Sequence, residues 1–251
     1  MNCEQLKSLW ISEERKTFKG WDFSYLAGRA SEEQLPWDYR SIVLTHMGSG
    51  KNMLDMGTGG GEFLLSLDPP KGKTFATEGY APNYELCKRT LPDYGIDVRQ
   101  VHDDRELPFE DHFFDLIINR HEAFDAQEVF RILKPGGMFV TQQVGGQNNR
   151  ELSKLLLGND SNIIDAAFGL GSAMEEISRS GLTIVEGKEF FPILTFYDVG
   201  ALVYFAKVIE WEFPGFSVDR CYDKLCFLQE QVEQQGCIQS TEHRFLIVAR
   251  K

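Results

Sequence analysis

The stretch that decides the fold is Asn52-Met-Leu-Asp-Met-Gly-Thr-Gly-Gly-Gly-Glu-Phe63, in which a short apolar run ends in an acid and a cluster of glycines. Residues 53–56 predict a buried strand, and the apolar residues of the segment 63–67 predict the packed face of a helix. The glycines between Gly57 and Gly61 supply a turn without Cβ atoms. A ligand can therefore approach the backbone closely at the start of this helix, where amide N–H groups are unpaired and the helix dipole is positive.

The spacing of these glycines separates two classes of ligand. A dinucleotide fingerprint requires Gly-x-Gly-x-x-Gly, and here the last position is Glu62, an acid that would lie beside a pyrophosphate. The stretch instead matches Asp-x-Gly-x-Gly-x-Gly and resembles the first motif of the class I S-adenosylmethionine-dependent methyltransferases. The resemblance implies that this turn holds the amino acid end of a sulfonium cofactor, with contacts from Asp55, Gly57, Thr58, Gly59 and Gly61. A glycine-rich structural turn is the alternative.

Further stretches follow the same family in order and spacing. A second short strand ends at Glu78, followed by Gly79, and an acid at this strand end can accept hydrogen bonds from both ribose hydroxyls. A helix-capping or solvated acid is the alternative. Asp103 and Asp104 follow a candidate third strand at 98–101. The resemblance implies that the Asp103 carboxylate accepts a hydrogen bond from the adenine amine and that the Asp104 amide donates one to an adenine ring nitrogen. A charged surface loop would look similar.

The fourth strand, predicted at 113–118, leads into Asn119-Arg-His-Glu-Ala123, where the methyl group meets its acceptor in the resembled family. Asn119 is assigned to the cofactor site. His121 is the candidate base because its unperturbed pKa suits proton abstraction near neutral pH. A neutral histidine bonded to the backbone is the alternative, and Glu122 either orients His121 or faces solvent. The segment contains neither the Asn-Pro-Pro-Tyr motif of DNA and protein amide methyltransferases nor the Pro-Cys nucleophile of cytosine C5 enzymes.

The run Arg131 to Val140 is similar to the family's structural Arg-x-Leu-Lys-Pro-Gly-Gly turn, which is expected to close a helix before a fifth strand opens at Met138. The fold class implied by the resemblance is α/β, a doubly wound, Rossmann-like, seven-stranded sheet whose last strand is antiparallel. We expect one methyltransferase domain over 1–251, with a helical and aromatic cap at 1–50 and a cofactor-binding core at 51–144. The segments 145–170 and 190–236 are predicted substrate-lid insertions.

Aromatic residues are dense in the predicted cap. Trp21, Tyr25, Trp37 and Tyr39 either bury against the core or overhang the cofactor's sulfonium and the substrate, because aromatic faces favour a cation. The insertion at 190–236 is also rich in aromatic residues, which suggests an apolar or planar substrate, although an accessory core would explain them equally well.

Composition narrows the classes of partner and compartment. A net charge of -12 argues against a general nucleic-acid binder, since phosphate contacts need clustered Lys and Arg. The five cysteines contain no Cys-x-x-Cys pair, which predicts free thiols in a reducing compartment rather than a disulfide framework or a zinc site. No signal-peptide core is evident, and no stretch approaches the roughly 20 apolar residues that span a bilayer, so a cytoplasmic location is expected.

The function predicted is transfer of a methyl group from S-adenosylmethionine to an O, N or C atom of a small or medium-sized molecule. One alternative is RNA-base methylation, which the net charge of -12 disfavours. A second is a non-catalytic binder of S-adenosylmethionine or S-adenosylhomocysteine. A third is a nucleotide-linked oxidoreductase, which Glu62 disfavours. The sequence makes no prediction of oligomeric state.

Overall fold

The computed structural model of the protein describes residues 3–18, 23–158 and 164–251. In these ranges the strands are β1 Ala30–Glu32, β2 Met53–Met56, β3 Thr74–Glu78, β4 Ile96–Gln100, β5 Phe114–Arg120, β6 Leu133–Val144, β7 Thr183–Phe190, β8 Ile193–Phe196, β9 Ile238–Thr241 and β10 Arg244–Arg250. The α-helices in the same ranges are α1 Cys3–Glu14, α2 Tyr39–His46, α3 Glu62–Ser66, α4 Ala81–Thr90, α5 Ala126–Ile132, α6 Arg150–Leu157, α7 Leu170–Arg179, α8 Val199–Val208 and α9 Val218–Gln235.

The chain divides into two compact units. The sheet unit comprises Pro36–Val144, Gly169–Glu189 and Phe245–Lys251. The accessory unit comprises Met1–Leu35, Gly145–Phe168 and Phe190–Arg244. The last part of the predicted cap therefore falls in the sheet unit, and most of the two predicted insertions falls in the accessory unit. A role for these segments as a substrate lid stays a prediction.

The main sheet of the sheet unit has seven strands among the described residues, in the order β4-β3-β2-β5-β6-β10-β7. β2 pairs in parallel with β3 and β5, β3 with β4, and β5 with β6. Near the start of β6, its residues pair with the end of the chain just after β10. The Gly136 N–H donates to the Lys251 carbonyl (2.7 Å) and the Lys251 N–H donates to the Gly137 carbonyl (3.1 Å), as in an antiparallel pair. The predicted doubly wound, seven-stranded fold with an antiparallel last strand is confirmed.

Burial explains why these sequences form central strands. All four residues of β2 are buried, and so are Phe245 to Ala249 of β10. Strands covered on both faces are near-continuous apolar runs, and helices that follow each parallel strand cover both faces of such a sheet. The strand order reverses at β2, which lies between β3 and β5. In open α/β sheets a ligand crevice lies beyond the carboxyl ends of the strands at this reversal.

Several boundaries in this sheet differ from the sequence prediction, among them those of β4, which spans Ile96–Gln100 rather than 98–101. The predicted turn Lys134 to Gly137 lies inside β6, where the pairing with β5 shifts register so that Leu133 faces Phe114 but Met138 faces Leu116. Gly136 adopts a φ of +80°, which lets the extra residues bulge out of the ladder. β5 itself continues to Arg120, so Asn119 lies within the strand rather than after it.

The accessory unit combines α1, α6, α8 and α9 with a three-stranded antiparallel sheet of order β1-β8-β9. Its apolar core includes the fully buried Phe196, Phe213 and Leu225. Helix α6 lies within the predicted insertion 145–170, whereas the small sheet was not predicted. Its strands are only three or four residues long, and β1 pairs with β8, which is far away in the sequence.

Two predictions concern residues of which the structure gives no description. Trp21 lies outside the described ranges, and so do residues 159–163 of the predicted insertion 145–170. Among the helices that are described, none has both the length and the apolar composition needed to cross a membrane.

Candidate active site

A cavity of about 290 Å³ lies within the sheet unit, at the carboxyl ends of four parallel strands. Its volume is close to the lower end of the range for small-molecule sites. The lining residues are Gly57 after β2, Thr77, Glu78 and Gly79 at the end of β3, Val101, His102 and Asp104 after β4, and Glu122 after β5. The structure thus brings together the predicted site residues Gly57, Glu78, Gly79 and Asp104.

The glycine turn forms one wall of this cavity. Gly57 has a φ of +66°, and a Cβ atom built on it would lie only 2.4 Å from the Cγ of Glu122. Backbone hydrogen bonds hold the turn in place, from Thr58 N–H to the Thr77 carbonyl (3.0 Å) and from Gly61 N–H to the Thr58 carbonyl (3.0 Å). The absence of a side chain at Gly57 therefore keeps open a space that any other residue would fill.

Glu78 connects the glycine turn to the next strand and helix. Its buried carboxylate accepts hydrogen bonds from the Gly59 N–H through Oε2 (2.8 Å) and from the Tyr80 N–H through Oε1 (2.8 Å). Because each carboxylate oxygen has two lone pairs, both can still accept a hydrogen bond from a ligand hydroxyl. On α4, the Cys87 thiol donates to the Gly59 carbonyl (3.1 Å) and supports the same turn.

Carboxylates dominate the charge of the cavity. Glu78, Asp104 and Glu122 line it, and the described lining residues include no lysine or arginine. Burial, followed by repulsion from Asp104 and Glu78, raises the pKa of Glu122 to about 7. Burial also raises the pKa of Asp104, and that of the strand residue Asp55 to about 7. Negative charge is therefore costly here, and a cationic ligand would relieve that cost.

The two predicted adenine-binding acids occupy different environments. The Asp103 carboxylate is held by the Arg105 side chain through Nε (2.9 Å) and Nη2 (2.8 Å), and these hydrogen bonds lower its pKa to about 2. Asp104, in contrast, lines the cavity. The contact of Asp103 with an adenine amine stays a prediction.

Asn119 is completely buried, and its side chain is engaged by neighbouring strand residues. Its Oδ1 accepts hydrogen bonds from Thr141 Oγ1 (3.0 Å) and Gln143 Nε2 (2.5 Å), and its Nδ2 donates to the Ala123 carbonyl (3.4 Å). Gln143 Nε2 also donates to the Glu122 carbonyl (2.9 Å). These bonds position the loop after β5, while a direct contact of Asn119 with a cofactor stays a prediction.

His121 is exposed and has a φ of +63°. Its Nε2 lies 3.1 Å from Gln142 Nε2, and Gln142 Oε1 accepts a hydrogen bond from the Trp37 indole (2.8 Å). Because an indole only donates, the amide nitrogen of Gln142 faces the histidine, whose Nε2 must accept. A neutral His121 then carries its proton on Nδ1, and the Nε2 lone pair is already engaged. Its role as a base stays a prediction.

The aromatic residues of the predicted cap differ in environment. Trp37 and Tyr39 are buried in the sheet unit, where the Tyr39 hydroxyl donates to the Asn119 carbonyl (3.0 Å) and the ring packs 5.5 Å from that of Phe63. Both residues therefore brace the ends of β5 and β6. Tyr25 belongs to the accessory unit, where its hydroxyl donates to the Glu13 carboxylate (2.9 Å).

Sequence reasoning did not assign Thr77, Val101, His102 or Glu122 to the cofactor site. Thr77, Val101 and His102 lie at predicted strand ends, next to Glu78 or Asp103 in the sequence. Their positions could therefore have indicated that they line the site. Glu122 follows the fourth predicted strand, but the sequence does not show that its side chain turns toward Gly57.

Comparison with known proteins identifies one matching sequence family. Residues 54–141 match the family described as a methyltransferase domain. This segment begins within β2, contains β3 to β5 and reaches into β6, and it includes every residue that lines the cavity. No curated protein matches the chain.

Several solved structures resemble this one. BH2331 from Bacillus halodurans C-125 is 16% identical with a TM-score of 0.61, and the match covers 85% of this chain and 98% of that one. The [4+2]-cyclase SpnF is 15% identical with a TM-score of 0.56, over 98% of this chain and 94% of its own. An S-adenosylmethionine-dependent methyltransferase from Mesorhizobium loti is 15% identical with a TM-score of 0.51, over 85% and 95%. At these identities the similarity is one of fold.

Proposed function

Since this chain belongs to the class I S-adenosylmethionine-dependent methyltransferases, we propose that it methylates an O, N or C atom of a small or medium-sized, apolar or planar acceptor. The observation that carries the proposal is the acidic cavity beside the glycine turn, at the carboxyl ends of four parallel strands. A pocket lined by carboxylates suits a ligand that carries cationic sulfonium and ammonium groups, and suits a pyrophosphate poorly.

The residues of the cavity fit such a cofactor. Gly57 leaves open a space that a side chain would fill, next to the start of α3. The Glu78 carboxylate keeps lone pairs for ribose hydroxyls while it holds the Gly59 and Tyr80 amides. We assign the amino acid end of the cofactor to the turn with Asp55, Thr58, Gly59 and Gly61, the ribose to Glu78 with Gly79, and the adenine to Asp103 and Asp104, with Asn119 as a further contact.

S-adenosylmethionine supplies the electrophilic methyl group when it is bound, so the protein has to align the acceptor and exclude water. His121 remains the proposed base for acceptors that must lose a proton. Its Nε2 is hydrogen-bonded to Gln142 (3.1 Å), so it would have to exchange that partner for the acceptor. An acceptor that is already nucleophilic needs no base. The net charge of -12 favours a small molecule over RNA as the substrate.

Isothermal titration calorimetry tests the cofactor assignment. We expect the parent protein to bind S-adenosylmethionine and S-adenosylhomocysteine, and Glu78→Gln to bind both about 10- to 100-fold more weakly, because hydrogen bonds to a charged acceptor are lost. Glu85→Gln, which makes the same charge change at an exposed position of α4, should bind like the parent. Binding of NAD without binding of either sulfur ligand would overturn the proposal.

The acceptor requires a second assay. We expect S-adenosylhomocysteine to accumulate when the protein is incubated with S-adenosylmethionine and planar or apolar small molecules bearing hydroxyl, amine or enolisable groups. Formation of product only with RNA would replace the small-molecule assignment. Tight cofactor binding without product from either kind of acceptor would instead indicate a non-catalytic binder.

A further inference from the structure

We propose, building on the function proposed above, that Glu122 is the residue by which the site distinguishes a positively charged sulfonium from a neutral thioether. Its carboxylate would favour S-adenosylmethionine over S-adenosylhomocysteine, the product left after methyl transfer. Glu122 thus acts as a selectivity residue for the charge on sulfur.

The position of Glu122 supports this role. A Cβ atom built on Gly57 would lie 2.4 Å from Glu122 Cγ and 2.8 Å from Oε2, so the acidic side chain lies directly against the first glycine of the turn. The same side chain lines the cavity together with Glu78 and Asp104. Sequence reasoning had left Glu122 either facing solvent or orienting His121.

The backbone at Glu122 is held by buried groups. Gln143 Nε2 donates to the Glu122 carbonyl (2.9 Å) and to Asn119 Oδ1 (2.5 Å), and both amide side chains are buried. Glu122 therefore starts from a defined position rather than from a mobile loop, which reduces the ordering cost of binding a ligand.

The charges around Glu122 explain why it should respond to a cation. Glu78 comes from β3, Asp104 and His102 follow β4, and Asp55 lies on β2 beneath the turn. On its own segment Glu122 follows His121, and the guanidinium of the preceding Arg120 is directed over the Phe63 ring (4.2 Å). Burial and then repulsion from Asp104 and Glu78 raise the pKa of Glu122 to about 7. A sulfonium among these carboxylates would favour the ionised form of Glu122, whereas a neutral sulfur would not.

The preference for the charged cofactor should therefore depend on pH. A carboxyl group with a pKa of about 7 is roughly one-tenth ionised at pH 6 and nine-tenths ionised at pH 8. The ratio of the dissociation constant for S-adenosylhomocysteine to that for S-adenosylmethionine should then rise up to about tenfold over this interval. Groups that contact the adenine, the ribose or the amino acid end act on both ligands, so their titration largely cancels in the ratio.

The experiment is calorimetric titration of the full chain with both ligands at pH 6, 7 and 8. Three proteins are compared: the parent, Glu122→Gln and Glu110→Gln. Glu110 is exposed and does not line the cavity, so its variant matches the change in net charge. We expect the ratio to rise by up to about tenfold in the parent and in Glu110→Gln, and to stay flat in Glu122→Gln.

Each other outcome has a distinct meaning. If the parent binds both ligands with a ratio that does not change with pH, the inference about Glu122 is overturned while the proposed function stands; this test needs no variant. A pH-dependent ratio that persists in Glu122→Gln also overturns it. If the parent binds neither ligand at any pH, the proposed function falls and the inference with it.

Discussion

Replacing Arg131 by methionine tests how the loop before β5 is anchored in the sheet unit. Arg131 lies on α5, and its Nη1 donates to the carbonyl of Phe109 (2.7 Å) and to the Asp111 carboxylate (2.9 Å). Its Nη2 donates to the Leu107 carbonyl (3.0 Å). One side chain therefore holds three positions of the loop that follows Asp104.

The same guanidinium forms a two-point pair with Glu128, through Nε and Nη2 at 2.7 Å each. Glu128 in turn accepts a hydrogen bond from the Leu107 N–H (2.9 Å). The side chain of Arg131 is 31% exposed and that of Glu128 only 13% exposed, so this pair is partly shielded, whereas Asp111 is 66% exposed and adds little.

We expect Arg131→Met to destabilise the protein by about 2–3 kcal/mol. Breaking a fully buried ion pair costs about 3–5 kcal/mol, and the exposure of Arg131 reduces that cost. For a chain of this size each kcal/mol lowers the melting temperature by roughly 2–4 °C, so a decrease of about 5–10 °C should be seen by circular dichroism at pH 7.

The difference between parent and variant should also depend on pH. Hydrogen bonding to Arg131 lowers the pKa of Glu128 in the folded state below its unfolded value. The stabilisation is then fully present above the unfolded pKa of about 4.3 and is lost as the pH falls through the lowered folded value. The difference between the melting temperatures of parent and variant should therefore narrow below about pH 4, while the bonds of Arg131 to the Phe109 and Leu107 carbonyls persist.

Arg179→Met is the matched control. Arg179 lies on α7 with a side chain that is 69% exposed and pairs with Glu175 one turn away, so its loss should cost less than about 0.5 kcal/mol. Equal melting temperatures for the Arg131 and Arg179 variants would refute the anchoring role of Arg131.

Two further predictions concern the glycine turn and the accessory unit. Gly57→Ala should weaken S-adenosylmethionine binding at least about tenfold in calorimetry, since its Cβ would meet Glu122 at 2.4 Å. Gly136→Ala, which has a similar positive φ but open space around the new Cβ, should bind like the parent, and equal weakening in both would contradict the steric explanation. Burial raises the pKa of Glu242 above its unfolded value, although Arg244 Nη2 donates to its Oε1 (2.6 Å), so the free energy of unfolding should fall as the pH rises above about 4.5. In urea unfolding, the decline in the free energy of unfolding with pH should be about 1–3 kcal/mol smaller in Glu242→Gln than in the parent. The variant Glu230→Gln, at an exposed position, should show the same decline as the parent. Identical pH profiles for all three proteins would show that the protonation of Glu242 does not change on folding.

Local sequence was sufficient for most elements of the sheet unit. β2 and β3 lie where their apolar runs predicted them, because glycines and acids bound those runs closely. The small sheet of the accessory unit had no comparable signal. Ala30 pairs with Phe196 and Ile193 with Thr241, so each short strand obtains its hydrogen-bond partners from a distant segment.

The sequence by itself determined that Gly57, Glu78 and Asp104 share one site, because the carboxyl ends of parallel strands meet at one edge of a sheet. Only the tertiary structure decided where the neighbouring side chains point. His121 adopts a left-handed backbone conformation, the Glu122 side chain that follows it lies against Gly57, and Gln142 engages the histidine ring. The topology of the sheet was implied by the family resemblance that the sequence motifs carry, whereas side-chain direction at a strand end depends on backbone torsions and on partners from other strands.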